Sequence, residues 1–180
     1  MKNRVMQMFR QYGLLNNDND KILELGLTRF LNGIMDLIFT MFCAYVLGNV
    51  LVGVCFEGCY IVLRIYAGGY HAATRRRCFI LTYISSAICI IASFIIPLKY
   101  LYIILIIADI LIVIKAPVES ENKPLNRLEY KVYRRITICM VLCYSGMCVC
   151  FLKLKWHSLA MSICMALSLV AAGLIAEKND

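Results

Sequence analysis

Histidine is scarce in this chain of 180 residues, which has only His71 and His157 among ten cysteines. Two cysteine pairs have the i, i+4 spacing of a helical ligand pair but no nearby histidine to complete a tetrahedral zinc site: Cys55 with Cys59, and Cys139 with Cys143. Most cysteines lie inside apolar runs, which is typical of small buried hydrophobic residues. We therefore expect no metal and no other cofactor.

The chain also lacks a long polar region, a low-complexity linker and a clear internal repeat. Hydrophobic residues make up 62% of it, more than one compact soluble core of this size buries. These residues fall into runs of bilayer length. The sequence therefore predicts an all-α polytopic membrane protein, with residues 1–180 forming a single membrane-embedded domain.

A signal peptide is not expected at the start of the sequence, because residues 1–11 have no long apolar core and no small-residue cleavage site. Val5 and Met8 lie at helical spacing, with Lys2 and Arg4 before them and Arg10 after them. This pattern predicts an amphipathic interfacial helix over residues 1–15.

Six apolar runs predict six transmembrane helices, paired as hairpins by short connections. The predicted spans are residues 30–47, 50–66, 79–96, 100–114, 136–152 and 158–176. Sixteen of the 19 lysines and arginines fall at the two ends and in the two long loops. The short connections, which alternate with these loops across the membrane, contain only Lys99, Lys153 and Lys155. Because basic loops stay in the cytoplasm, both termini and both long loops are predicted to be cytoplasmic. The net charge of +8 is then explained by membrane orientation, and no nucleic-acid partner is expected.

The first long loop, residues 64–78, concentrates the reactive groups of the chain. A cysteine attacks as the thiolate, a nearby histidine accepts its proton, and positive charge favours the anion. His71, Cys78 and the arginines between them supply these groups, the arginines being Arg75, Arg76 and Arg77. Residues seven apart on a straight helix are roughly 10 Å apart along its axis, whereas a hydrogen bond needs about 3 Å. We therefore expect His71 on a turn or re-entrant loop, for which Gly68 and Gly69 give backbone freedom.

A second interpretation involves no chemistry: the arginines are a positive-inside anchor, His71 is an interfacial side chain and Cys78 is another apolar helix residue. His157 lies in a loop predicted on the opposite face. The intramembrane acids Asp36, Glu57 and Asp109 are candidates for a third catalytic residue, but no spacing distinguishes them, and pairing with Arg64 or Arg29 is favoured over catalysis.

The second long loop, residues 115–125, is rich in charge and contains two prolines. Such a loop is most often a solvated connector. It shares the predicted membrane face of His71, so it is also a candidate peptide-binding surface.

Two separated motifs resemble the accessory gene regulator B (AgrB) family, over nearly the whole chain. The first comprises Arg64, Gly68-Gly69, Tyr70-His71 and Cys78, and the second runs from Ala116 to Pro124. The resemblance implies a membrane endopeptidase of Gram-positive bacteria that processes the AgrD-type precursor of a cyclic quorum-sensing peptide. It also implies that His71 and Cys78 are the catalytic pair.

By this resemblance, Cys78 forms a thioester with the upstream peptide as the C-terminal part leaves, and an internal residue then closes a thiolactone or lactone. The supporting or substrate-binding candidates are Arg64, Gly68, Gly69, Arg75, Arg76, Arg77, Glu119, Glu121, Asn122, Lys123 and Pro124. The expected precursor has a membrane-binding leader and an acidic tail, which residues 75–77 and 131–135 would attract. The lipid bilayer and a second copy of the chain are the other expected partners.

Two alternatives lie outside enzymology. A non-enzymatic component that binds or exports a peptide would use the polar loops without covalent chemistry. A pore is less favoured, since the intramembrane acids have no periodic arrangement along one span.

Overall fold

In a computed structural model, residues 20–69, 75–118 and 126–177 are described. Their regular structure is entirely helical, which confirms the predicted all-α class. The α-helices are α1 (Asp20–Val46), α2 (Val50–Ala67), α3 (Arg75–Ile95), α4 (Leu101–Lys115), α5 (Arg127–Lys153) and α6 (His157–Ala176), and a 3₁₀ turn, Leu98–Tyr100, precedes α4.

Five helices in the described ranges are long and apolar enough to cross a membrane, so the chain is a polytopic membrane protein. The five segments are Gly26–Val46, Val50–Ala67, Arg77–Ile95, Arg127–Lys153 and His157–Ala176. The remaining helix, α4, overlaps the predicted span 100–114 but has only 15 residues, or about 22 Å at the usual rise per residue. The count of six spans and the orientation of the termini stay predictions, and the helix predicted over residues 1–15 lies outside the described residues.

The chain divides into two compact units, Met1–Ile38 and Phe39–Asp180. The described part of the first unit is the beginning of α1. In the second unit α6 is the central helix, since it contacts α2, α3, α4 and α5. Twelve of its side chains are buried, many of them small, such as Ala160, Ala166 and Ala171. Small residues let neighbouring helices approach closely in a membrane bundle, which places the core of the second unit around α6.

A tight turn joins α1 to α2. Gly48 has a φ of +93°, and the Asn49 side chain accepts a hydrogen bond from the Leu51 N–H at 3.1 Å, capping α2. The two helices then run close together, because a Cβ added at Gly53 would lie only 3.0 Å from the Ala44 Cβ. Glycine at this position therefore sets the separation of the two helices.

Helix α5 begins well before the apolar run predicted over 136–152. Asn126 and Glu129 form a capping box, in which the Asn126 N–H donates to the Glu129 carboxylate at 2.8 Å. This cap satisfies backbone donors at the helix start and allows a polar stretch to be helical. Residues 127–135 consequently extend the helix by about 13 Å beyond its apolar part.

Candidate functional site

The two motifs that stood apart in the sequence meet at the ends of α2 and α4. The Val118 N–H donates a hydrogen bond to the Ala67 carbonyl oxygen at 3.0 Å. This carbonyl belongs to the last residue of α2, where no intrahelical donor is available. Ala116 and Pro117, which lead to Val118, are buried. The contact therefore joins the glycine-containing motif to the beginning of the second long loop.

Gly68 makes this close contact sterically feasible. It has a φ of +81°, a backbone conformation that favours glycine. A Cβ added there would lie 2.5 Å from the Val118 carbonyl oxygen, well inside van der Waals contact. The predicted need for glycine before His71 thus has a specific cause at Gly68, in both conformation and space.

Two further contacts within the second unit define the same end of the bundle. Gly69, with a φ of +145°, is buried, and a Cβ added there would lie 4.0 Å from the Gly173 carbonyl carbon near the end of α6. The rings of Tyr66 and Tyr133 meet edge to face, with centroids 5.5 Å apart, joining α2 to α5. We call this region, where Ala67, Val118, Gly173 and Tyr133 lie, the junction end.

Arg64 lies one turn before the end of α2 and is partly exposed. Its guanidinium donates a hydrogen bond to the hydroxyl of Tyr60, and the Cζ atom lies 5.5 Å from the centroid of the Tyr60 ring. Tyr60 is itself buried and stacks on Phe56, with centroids 5.8 Å apart. A rigid aromatic column on α2 therefore supports the Arg64 side chain near the junction end.

Cys78 lies in the first turn of α3, and its thiol is free and half-buried. Its carbonyl oxygen accepts a hydrogen bond from the Thr82 hydroxyl at 3.0 Å. The helix begins with the three arginines, of which Arg77 is exposed; the side chains of Arg75 and Arg76 lie outside the description.

The extension of α5 carries four exposed cations, Arg127, Lys131, Arg134 and Arg135. The Asn126–Glu129 capping box lies at the start of this extension, and the Tyr66–Tyr133 contact lies near its end. The cations are thus presented beside the junction end on a fixed scaffold.

Several predicted site residues lie outside the described residues, so their geometry is not part of the structure. These are His71, Glu119, Glu121, Asn122, Lys123 and Pro124. The predicted pairing of His71 with Cys78 therefore stays a prediction. Within the described ranges, no group of three or more His, Cys, Asp and Glu side chains is arranged to hold a metal ion.

Comparison with known families decides the relationship of the chain. The family described as accessory gene regulator B matches residues 2–175. The chain belongs to the AgrB family. No curated protein and no solved structure matches it. Membership places this AgrB-family chain in the membrane and in the accessory gene regulator quorum-sensing system, within a family of processing enzymes associated with an AgrD-type precursor peptide.

The three acids considered for a catalytic role in this AgrB-family chain have different surroundings. Asp109 on α4 accepts a hydrogen bond from the Ser145 hydroxyl of α5 at 2.7 Å, a contact that joins two helices. Glu57 on α2 is fully buried, and Asp36 is buried within the first unit. The Asp109 contact joins two helices, and the expected pairing of these acids with Arg64 or Arg29 stays a prediction.

Sequence reasoning missed Tyr60 and Ser145, and it included Val118 only as a member of the second motif, without its contact with α2. Tyr60 lies four residues before Arg64 on the same helix face, so an i, i+4 search around the arginine would have found it. The partners of Asp109 and Gly68 are distant in the AgrB-family sequence and leave no local signal.

Proposed function

We propose that this AgrB-family protein is a membrane cysteine endopeptidase that cleaves an AgrD-type precursor, with Cys78 as nucleophile and His71 as its base. The main support is the position of Cys78, a free, half-buried thiol in the first turn of α3 and directly after three arginines. The segment that contains His71 begins at the anchored Gly69 and ends at the start of this helix.

The reaction follows from the chemistry of a thiol. His71 takes the Cys78 proton, and the sulfur attacks the carbonyl carbon of the scissile peptide bond. His71 then gives the proton to the departing amine as the C–N bond breaks. The C-terminal fragment leaves with a free amino group, and the upstream peptide stays as a thioester on Cys78.

Ring closure uses the energy kept in that thioester. A cysteine thiol or serine hydroxyl within the bound peptide attacks the thioester carbonyl, and the Cys78 thiol leaves with a proton. The product is a thiolactone or a lactone, and no external energy source is needed. Water would hydrolyse the same thioester, so a site that protein and lipid keep dry favours cyclisation.

Substrate binding is assigned to the charged groups at the junction end. Arg64 is suited to hold a carboxylate or carbonyl of the precursor, because Tyr60 fixes its guanidinium. The cations of residues 127–135 and Arg77 would attract an acidic tail. Residues 119–124 complete the proposed peptide-binding surface. This assignment places the junction end and both termini on the cytoplasmic side.

The test is mass spectrometry of the precursor after incubation with the protein in proteoliposomes. Wild-type protein should release the C-terminal fragment and give an acyl adduct on Cys78, whereas Cys78→Ala and His71→Ala should give neither. Cys139→Ala is the matched control, because Cys139 is an exposed cysteine in the apolar part of α5. Undiminished cleavage by Cys78→Ala would refute the proposal and favour a non-enzymatic peptide-binding or export component.

A further inference from the structure

The contact between Gly68 and Val118 has a role that neither motif suggests by itself. Helix α4 ends at Lys115, and the Ala116 N–H still bonds back to Ile112 at 2.8 Å. Pro117 has no N–H to donate. The next backbone donor along the chain is that of Val118, and it bonds to the last carbonyl of α2.

This arrangement fixes the direction of the chain from both sides. At Gly68 the peptide is held by its own N–H, which donates to the Arg64 carbonyl at 3.1 Å, and by the Val118 contact. One residue later, Gly69 is buried close to Gly173 of α6. Gly69, the last described residue before His71, therefore lies at an anchored point.

Covalent geometry carries this constraint to His71. His71 follows Gly69 by two residues in the sequence, and two residues span at most about 7 Å. A side chain at position 68 would overlap the Val118 carbonyl oxygen. Relieving that overlap would move the end of α2, and Gly69 with it, away from Val118. A displacement on the order of 1 Å is enough to cost about 100-fold in rate when it misplaces a reacting group.

We propose that Gly68 and Val118 are positioning residues for the His71–Cys78 pair, and that the second motif serves catalysis first through its backbone at Val118. The proposal rests on the proposed function. It assigns the backbone N–H and C=O of Val118, and not its side chain, as the groups that matter. Gly68 acts by admitting the Val118 carbonyl.

The experiment uses two matched pairs of variants, one on each side of the contact. Gly68→Ala introduces a side chain against Val118, and Gly48→Ala is its control, since Gly48 also has a positive φ, +93°, but has open space around it. Val118→Pro removes the N–H, and Val118→Ala retains it. Each variant is purified in proteoliposomes, and its thermal unfolding is measured first.

The decisive readout is the pH profile of alkylation of Cys78 by iodoacetamide, measured by mass spectrometry of its peptide. A residue with a merely structural role leaves this profile unchanged in a folded protein. We expect Gly68→Ala and Val118→Pro to give the profile of His71→Ala, with precursor turnover lowered about 100-fold or more. Gly48→Ala should keep the wild-type profile and turnover within about threefold, because Gly48 lies in the α1–α2 turn, at the far end of α2 from Val118. Val118→Ala should keep the wild-type profile, because it retains the backbone N–H.

The outcomes separate the two proposals. If His71→Ala changes the alkylation profile but Gly68→Ala and Val118→Pro do not, the positioning role is refuted and the catalytic pair stands. If His71→Ala leaves both profile and turnover unchanged, the proposed function fails, and the positioning role fails with it. If one of the two variants Gly68→Ala and Val118→Pro fails to fold, the result for the other variant decides, since the two alter the contact from its two sides.

Discussion

Removing the hydroxyl of Tyr60 should weaken precursor binding by misplacing Arg64. The variant Tyr60→Phe is nearly isosteric. It keeps the ring that stacks on Phe56 with a 13° interplanar angle, and it keeps the ring face beneath the guanidinium. The acceptor for the Arg64 hydrogen bond is lost.

The magnitude follows from the nature of that bond. A hydrogen bond to a charged group contributes about 1.5–3 kcal/mol. Arg64 is partly exposed, so water replaces some of the interaction and the lower value applies. A loss of about 1.4 kcal/mol corresponds to a tenfold change in an equilibrium constant. We therefore expect the KM for the precursor to rise about tenfold, while kcat changes by less than about twofold, as for loss of uniform binding.

The assay is precursor cleavage in proteoliposomes over a range of substrate concentrations, with single-turnover rates to separate binding from chemistry. Tyr102→Phe is the control, because this exposed tyrosine lies near the start of α4, in the turn after the 3₁₀ segment. A wild-type KM for Tyr60→Phe, combined with a raised KM for Arg64→Ala, would show that Tyr60 does not position the arginine. A fall in kcat at unchanged KM would contradict the binding role of Arg64 itself.

Three further perturbations test the packing and charge of the molecule. Gly53→Ala should destabilise the protein by about 1–3 kcal/mol in thermal unfolding, because its Cβ would lie 3.0 Å from atoms of α1; unchanged stability would contradict this close approach. Ser145→Ala should cost about 1–3 kcal/mol by leaving Asp109 without its donor; lost turnover at full stability would instead place Asp109 in the site. Lys131→Gln should raise the precursor KM roughly twofold to fivefold at low salt and little at high salt, whereas Lys153→Gln, at the other end of α5, should not; equal effects would refute the assigned surface.

Hydrophobic runs predicted the helices of this protein well because lipid and burial both select apolar residues over a length of chain. They predicted helix ends less well. The span expected over 136–152 belongs to a helix that begins at Arg127, since the Asn126–Glu129 capping box extends it through polar residues. Hydropathy indicates whether a segment prefers lipid or water, whereas backbone hydrogen bonding decides where a helix begins.

The site was predictable only in its local parts. Glycine at position 68 was recognised as a source of backbone freedom, but its contact with Val118 was not. That contact depends on how α2 and α4 pack on α6, and packing between distant segments leaves no periodic signature in one sequence. The pairing of His71 with Cys78 came from reactivity and family resemblance, and it remains a prediction that the proteoliposome experiment tests.

The short length of α4 has a consequence for the surrounding lipid. A helix of 15 residues covers about 22 Å, against a hydrocarbon thickness of about 30 Å. If α4 crosses the bilayer, as the sequence predicts, the difference of about 8 Å must be met by local thinning of the bilayer or by water and polar groups at the helix ends, at a cost of fractions of a kcal/mol per Å. The Ala67–Val118 contact lies at one of these ends. Membrane thickness would then affect the geometry of the proposed site. Lipids of different acyl-chain length would alter that geometry without any change of residue.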